Sequence, residues 1–231
     1  MDLWCRILTT TFADRIYQKL FAREPKKTVV IEGEIQPGFG EELCVFAHFD
    51  KDDLIDDYVI NYLEQLHGLG LEIILVSVSR DLDSRSIAKA RRFCQSILVR
   101  ENVGYDLASW KSGLEHAGGL SRYRALMLAN DSVYGPIRDL KDVFTLMRRR
   151  GLDVWSITDS IEIRQHLQSY FLVFEKAVLE STVFHEFWAK LPIYGAKLSV
   201  VWNCEVGLSR RLLREGFQLG ALCEYTKLKE K

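Results

Sequence analysis

Apolar segments that alternate with amphipathic segments are the main feature of this chain. Continuous apolar segments, typical of strands buried on both faces of a parallel sheet, are predicted at 43–47, 71–78, 97–99, 125–129 and 154–157. Between them, apolar residues recur at helical spacing at 54–69, 84–95, 106–117 and 139–150. This alternation predicts an α/β, Rossmann-like domain of three layers with a mostly parallel sheet.

The carboxyl-terminal third is less regular. A sixth strand is predicted at 170–174, in a different direction because no crossover helix separates it from the fifth. Helices are predicted at 176–191 and 204–215, and a last strand at 218–222.

The first 42 residues are predicted to form an N-terminal helix and a linker that contains a short strand at 28–31. The main domain is predicted at 43–231. Apolar residues recur at helical spacing in the first part, at Leu3, Trp4, Ile7, Leu8, Phe12, Ile16, Leu20 and Phe21. Basic residues accompany them. This pattern predicts a helix docked on the protein or on an oligomer partner, or alternatively a helix in peripheral contact with an anionic membrane.

Composition narrows the class of protein. The chain has 231 residues and a net charge of −1, which argues against a nucleic-acid-binding surface. Its five cysteines lack metal-site spacing and predict buried free thiols in a reducing compartment. No apolar segment is long enough to span a bilayer and no signal peptide is visible. We therefore expect a cytoplasmic protein, with the inner face of the cell membrane as the alternative.

Polar residues follow the predicted strands, at the sheet edge where open α/β folds bind ligands. His48 and Asp50 follow the first strand and Ser79 follows the second, as candidates to bind a base or ribose. A solvated turn is the alternative. Asn130, Asp131 and Ser132 follow the fourth strand and are the candidates for a metal or diphosphate site, with a simple turn as the alternative.

The segment after the third strand is the more specific one. Arg100, Asn102 and Gly104 precede a predicted helix, and Gly104 permits backbone conformations that other residues resist. Asp106 is either the N-cap of that helix or a ligand for a hydroxyl group. Lys111, further along the helix, is a candidate to bind phosphate.

Three residues are candidates for a general base: Asp159, His166 and Glu205. Glu205 is predicted to open a helix, where the helix dipole favours an ionised acid, whether or not it acts as a base. Gln168, Ser169 and Tyr170 follow His166 and offer hydrogen-bonding groups for an acceptor.

These motifs together resemble the rhamnan synthesis protein F family, glycosyltransferases of bacterial cell-surface polysaccharide assembly. The segments that carry the resemblance are 46–50, 100–106, 110–111, 130–136, 158–160, 166–171, 187–188 and 205–209. The resemblance extends from about residue 43 to 225.

The resemblance implies a GT-A-like domain and an inverting transfer of a sugar from a nucleotide-sugar donor such as dTDP-rhamnose. The acceptor would be a glycan or lipid-linked glycan, in lipopolysaccharide or cell-wall synthesis. Asp131 would stand at the Asp-x-Asp position that binds Mg²⁺ or Mn²⁺, although the second carboxylate is missing. Glu205 would stand near the carboxylate base. The alternative is a non-catalytic subunit that binds nucleotide-sugar or glycan and assists a partner transferase.

Overall fold

The computed structural model describes residues 29–229. The predicted N-terminal helix, and the membrane contact expected of it, lie outside this range. The division at residue 42 stays a prediction.

Nine strands form one mixed sheet in the part of the chain that the structure describes. They are β1 (Val29–Glu32), β2 (Glu42–His48), β3 (Leu71–Ser77), β4 (Ser96–Val99), β5 (Ala125–Asn130), β6 (Val154–Ser160), β7 (His166–Leu167), β8 (Phe171–Glu175) and β9 (Leu219–Cys223). Their order is β1-β4-β3-β2-β5-β8-β6-β7, and β9 also pairs with β6.

The sheet is mostly parallel, as the sequence predicted. β4, β3, β2 and β5 are mutually parallel, and β9 is parallel to β6. β8 is antiparallel to both β5 and β6, which confirms the different direction expected for the sixth strand. β1 pairs antiparallel with β4, so the segment predicted as a linker contributes an edge strand.

Helices cover both faces of the sheet. Their bounds are α1 (Asp57–Gly68), α2 (Ser84–Arg91), α3 (Tyr105–His116), α4 (Leu140–Arg148), α5 (Lys176–Leu179), α6 (Thr182–Ala189), α7 (Lys197–Val200), α8 (Gly207–Arg214) and α9 (Tyr225–Lys229). One apolar core joins the sheet to α1, α2 and α4, and the other joins it to α3, α6 and α8. The three-layer prediction is confirmed.

Two predicted helices have different bounds. The helix predicted at 176–191 is interrupted at Ser181, whose hydroxyl accepts from the N–H of Phe184 and caps α6. The helix predicted at 204–215 already begins at Lys197 and passes through a π-helical turn, Val201–Val206, into α8. Cys223 is exposed, against the prediction of buried thiols, whereas Cys44, Cys94 and Cys204 are buried and free.

Candidate functional site

Polar side chains from four segments lie at the carboxyl edge of the parallel strands. β2, β3 and β5 end there at His48, Ser77 and Asn130. Since β8 runs in the opposite direction, its first residue, Phe171, pairs with Ala129 at the end of β5. The residues just before β8 therefore enter the same edge.

Asp131 is held by its neighbours at this edge. Its Oδ2 accepts from the backbone N–H of Phe49 at 2.9 Å, and its carbonyl accepts from the Tyr58 hydroxyl at 3.1 Å. Burial raises the pKa of Asp131 to about 6, and the charges of Asp106 and Asp50 add to this, against the Phe49 N–H. A cation placed here would favour the ionised carboxylate.

His48 lies behind Asp131. Its Nδ1 is 2.9 Å from the Ser77 hydroxyl, and its Nε2 is 3.8 Å from Oδ2 of Asp131. Burial lowers the pKa of His48 to about 4, so the imidazole is neutral at pH 7. The side chain lies beside Asp131 and is buried, which leaves little of its surface for a base or ribose.

Asp50 and Ser79 shape the loops around the site. Oδ1 of Asp50 accepts from the backbone N–H groups of Asp52 and Leu54. The Ser79 hydroxyl accepts from the N–H of Asp50 and donates to its carbonyl. Both side chains thus have local structural partners, which sequence spacing alone did not reveal.

Asp106, in the first turn of α3, pairs with Asn130, the last residue of β5. Asn130 Nδ2 donates to Asp106 Oδ2 at 2.7 Å, and Oδ1 of Asn130 accepts from the N–H and hydroxyl of Ser132. Burial raises the pKa of Asp106; Asn130 opposes this, the Glu205 charge adds to it and the Lys197 charge opposes it. The N-cap residue of α3 is Gly104, so the interpretation of Asp106 as the cap is wrong.

Arg100 and Lys111 have partners away from this pair. Arg100 is buried and donates to the Ser109 hydroxyl at 3.0 Å and to the Val103 carbonyl at 2.5 Å. It therefore shapes the loop that carries the exposed Asn102. Lys111 donates to the Leu191 carbonyl at 3.2 Å, so the structure does not bring it to Asp106 or Asp131. The phosphate role predicted for Lys111 has no support in this geometry, because its position two turns into α3 directs it to the segment after α6.

Two features of the backbone at position 104 favour glycine over any other residue. Its φ is +79°, and a Cβ there would lie 2.7 Å from Ala108 Cβ and 3.0 Å from Ile193 Cγ2. Gly118, at φ +71°, has nothing within 4 Å of such a Cβ and is the matched control. We expect Gly118→Ala to cost about 1–2 kcal/mol of folding free energy. Gly104→Ala should cost about 1 kcal/mol or more beyond that, because of the contact.

Urea unfolding of the two variants measures the difference. Equal destabilisation of the two variants would show that Ala108 and Ile193 move away from a Cβ at position 104 at no cost in folding free energy.

Glu205 lies on the π-helical turn, and its charge contributes to the raised pKa of Asp106. Its Oε1 accepts from the Ser169 hydroxyl at 2.8 Å, and its Oε2 is 3.5 Å from Nε2 of His166. Because the helical segment begins at Lys197, Glu205 is not in a first turn, and the predicted help from the helix dipole is wrong. π-Helical turns are frequent at functional sites.

The side chains of residues 168, 169 and 170 point alternately to two faces of the chain. The Thr158 hydroxyl bonds to Oε1 of Gln168 at 2.6 Å and to the Tyr170 hydroxyl at 2.8 Å, whereas Ser169 between them turns to Glu205. Asp159 accepts from the backbone N–H of Tyr225 at 2.6 Å and from Gln165 at 3.4 Å. Asp159 therefore has a structural role in joining chain segments.

Two residues near the site were missed by sequence reasoning. Lys197, the exposed first residue of α7, places its charge near Asp106. Tyr58 on α1 reaches the Asp131 carbonyl and packs against Tyr134, with ring centroids 4.6 Å apart. A lysine in an ordinary polar segment and a tyrosine on an apolar helical face give no local signal of either contact.

Between residues 29 and 229, no group of three or more His, Cys, Asp or Glu side chains is arranged to hold a metal ion. No helix in this range is both long and apolar enough to cross a membrane. Mg²⁺ commonly takes one or two protein carboxylates together with substrate phosphates. Among the described residues, the single carboxylate of Asp131 at the end of β5 therefore fits an ion shared with a diphosphate better than a cage made by protein alone.

The fold is similar to that of a solved glycosyltransferase. Mannosyltransferase PcManGT from Pyrobaculum calidifontis, solved in complex with GDP-Man and Mn²⁺, aligns with a TM-score of 0.51 at 11% identity. The alignment covers 94% of this chain and 62% of that one. At this identity the similarity shows the fold alone.

Two relatives match in sequence. Uncharacterized protein y4gN of Sinorhizobium fredii is 30% identical over 165 residues, which are 69% of this chain and 43% of that protein. Virulence protein VirA of Vibrio anguillarum is 25% identical over 195 residues, 82% of this chain and 62% of that protein. The chain thus spans less than two thirds of either relative.

The family model for rhamnan synthesis protein F matches residues 73–231, which is more than half of the chain and includes Asp106, Asp131 and Glu205. The resemblance carried by the motifs is confirmed, and the chain belongs to the rhamnan synthesis protein F family.

Proposed function

We propose that this chain is a GT-A-type glycosyltransferase that moves a sugar from a nucleotide-sugar donor to a hydroxyl of a cell-surface glycan. One observation carries the proposal. At the carboxyl edge of the parallel strands, the Ser169 hydroxyl orients the carboxylate of Glu205, and this carboxylate is close enough to the Asp106–Asn130 pair to contribute to the raised pKa of Asp106. The edge thus brings an oriented carboxylate base close to polar groups that can bind the donor.

The reaction follows from this arrangement. Glu205 removes the proton of the acceptor hydroxyl while its oxygen attacks the anomeric carbon. The bond from that carbon to the diphosphate breaks on the opposite face, so the configuration inverts. Lys197 offers a positive charge on the diphosphate side, beside Asp106.

A divalent ion fits the same side of the site. Asp131, with the diphosphate oxygens, would hold Mg²⁺ or Mn²⁺, and the ion would neutralise the charge of the leaving group. The PcManGT complex, which contains Mn²⁺ and GDP-Man, supports an ion and a nucleotide-sugar in a protein of this fold.

The donor and acceptor follow from the family. Membership in a rhamnan synthesis family supports a rhamnosyl donor such as dTDP-rhamnose, and a glycan or lipid-linked glycan as acceptor. Synthesis from a nucleotide-sugar would take place in the cytoplasm, at the inner face of the cell membrane where the acceptor is a lipid-linked glycan.

Thermal shift with nucleotide-sugars tests donor binding. A donor present at roughly 100 times its Kd should stabilise the protein by about 2.7 kcal/mol, which raises Tm by about 5–10 °C. We expect the shift to be larger in Mg²⁺ or Mn²⁺ than in EDTA, and Asp131→Asn to remove the metal-dependent part.

Asp52→Asn is the matched control, because it removes the same charge from a nearby exposed loop position. Its shift should equal that of the wild type. Equal shifts in Asp131→Asn and the wild type, with and without metal, would show that Asp131 is only a turn residue. If no nucleotide-sugar shifts Tm, the proposed donor class is wrong.

A further inference from the structure

We propose that His166 is the positioning residue of Glu205 and that its Nε2 finally holds the proton that Glu205 takes from the acceptor hydroxyl. This inference rests on the proposed function. It concerns where the proton goes after Glu205, which the assignment of a carboxylate base does not specify.

The tautomer of His166 is fixed by the segment that precedes β7. Nδ1 lies 2.7 Å from the Arg164 carbonyl, which can only accept, so Nδ1 carries a hydrogen. Nε2 is then the nitrogen that gains or loses a proton, and it lies 3.5 Å from Oε2 of Glu205. The His166 side chain is 4% exposed and that of Glu205 is 19% exposed, so the pair is shielded while the carboxylate still meets solvent.

The orientation of the Glu205 carboxylate is fixed through its other oxygen, Oε1. Ser169 donates to Oε1 at 2.8 Å, and this hydrogen bond directs Oε2 to His166. The π-helical turn that carries Glu205 and the short strand β7 that carries His166 are separate elements, so their pairing is a tertiary arrangement.

The surroundings favour a proton on this pair. Burial disfavours the imidazolium, but the hydrogen bonds to Glu205 and to the Arg164 carbonyl and the charges of Glu205 and Glu162 outweigh it, so the pKa of His166 is raised. The neighbouring carboxylate on β6, Asp159, accepts from Gln165 and from the N–H of Tyr225.

The proton balance is as follows. The acceptor O–H bond breaks as its oxygen bonds to the anomeric carbon, and the electron pair of the breaking sugar–phosphate bond leaves with the diphosphate. Glu205 receives the proton and passes it to Nε2 of His166, which leaves a carboxylate paired with an imidazolium. The productive form before reaction therefore has Nε2 unprotonated, and His166 later releases the proton to solvent.

The pH dependence of kcat/KM tests the transfer step. In the wild type, the midpoint of the acid limb should lie above pH 6.5, the ordinary histidine value. The reason is that His166 cannot accept the proton from Glu205 when its Nε2 is already protonated. In His166→Gln this block is absent, so the limb should move to lower pH by roughly one unit or more. An unchanged limb in His166→Gln would overturn the proposal.

Ser209→Ala controls for a merely structural disturbance of β7, since the Ser209 hydroxyl accepts from the N–H of Leu167. This variant should keep the wild-type acid limb even where its rate falls. A limb that moves equally in Ser209→Ala would show that packing, and not the proton on His166, sets the pH dependence.

Histidine NMR tests the pair without any substrate. In Glu205→Gln the titration midpoint of Nε2 of His166 should fall, because burial remains and the partner charge is lost. The exposed His185 is the internal reference for the comparison of the two proteins. A His166 midpoint unchanged by Glu205→Gln refutes the pair whatever the transfer assay shows. Absence of transfer by the wild type refutes the proposed function separately.

Discussion

Glu205→Gln should lower the rate of sugar transfer by roughly two orders of magnitude or more, the usual scale for removing a general base. Glutamine has the same shape, and its carbonyl oxygen can still accept from the Ser169 hydroxyl. Donor affinity should therefore be kept, since the diphosphate side of the site is untouched. Single-turnover transfer at saturating donor, together with calorimetric donor binding, measures the two quantities separately.

Asp159→Asn is the matched comparison for Glu205→Gln. Asp159 is also a predicted base, but its carboxylate holds Gln165 and the backbone of Tyr225. We expect this variant to keep transfer within a few-fold of the wild type. The opposite pattern, with transfer lost only in Asp159→Asn, would move the base to β6. Donor binding without transfer in the wild type would favour the alternative function, a binding subunit that assists a partner transferase.

The strands and the general place of the site were predictable because they depend on local pattern. Apolar segments such as 43–47 and 125–129 can only be buried on both faces of a sheet, and both are central strands. A polar residue that follows a parallel strand must emerge at its carboxyl edge. This is why Asn130 and Asp131 were found from sequence.

The roles of individual side chains were less predictable because they depend on partners far along the chain. By sequence, Asp106 was either a helix cap or a ligand, and its partner in the structure is Asn130, at the end of β5. His48 looked like a ligand for a nucleoside, but Ser77 on the next strand holds it in the interior. Residue spacing carries no information about contacts of this kind.

The helix that carries Glu205 shows a second limit of local pattern. Its apolar face is regular only after residue 205, so the sequence placed the helix start there. The structure begins the helical segment at Lys197 and inserts the π-helical turn, which shifts the register between the two parts. A single apolar period cannot describe a helix whose period changes within it.

Arg122→Leu should destabilise the fold by about 2–3 kcal/mol at pH 7, the scale for removing a hydrogen-bond donor from a buried charged group that keeps its other donors. Glu72, near the start of β3, is fully buried and accepts from the Arg122 guanidinium and from the Tyr123 hydroxyl at 2.9 Å. Its Oε1 also accepts from the N–H groups of Gly38 and Gly40, at 2.7 and 3.1 Å. These groups tie three segments together at the edge opposite the site.

The destabilisation by Arg122→Leu should shrink towards about pH 5. In the wild type, burial opposes ionisation, but Arg122 and the other hydrogen bonds outweigh it and lower the pKa of Glu72. That stabilisation is present above the unfolded pKa and is lost as the pH falls through the folded one. Without Arg122, burial dominates and the pKa of Glu72 rises, so acid protonates the carboxylate and relieves the penalty.

Urea unfolding at the two pH values measures the change, with Lys89→Met as the control. Lys89 pairs with Asp57 at 2.8 Å, but these side chains are 55% and 87% exposed, so the loss should stay within about 1 kcal/mol. An equal effect of Arg122→Leu at both pH values would show that lost packing, and not the charge on Glu72, sets its cost. Because Glu72 and Asp131 lie at opposite edges of the sheet, the folded fraction of Arg122→Leu should bind donor with wild-type affinity.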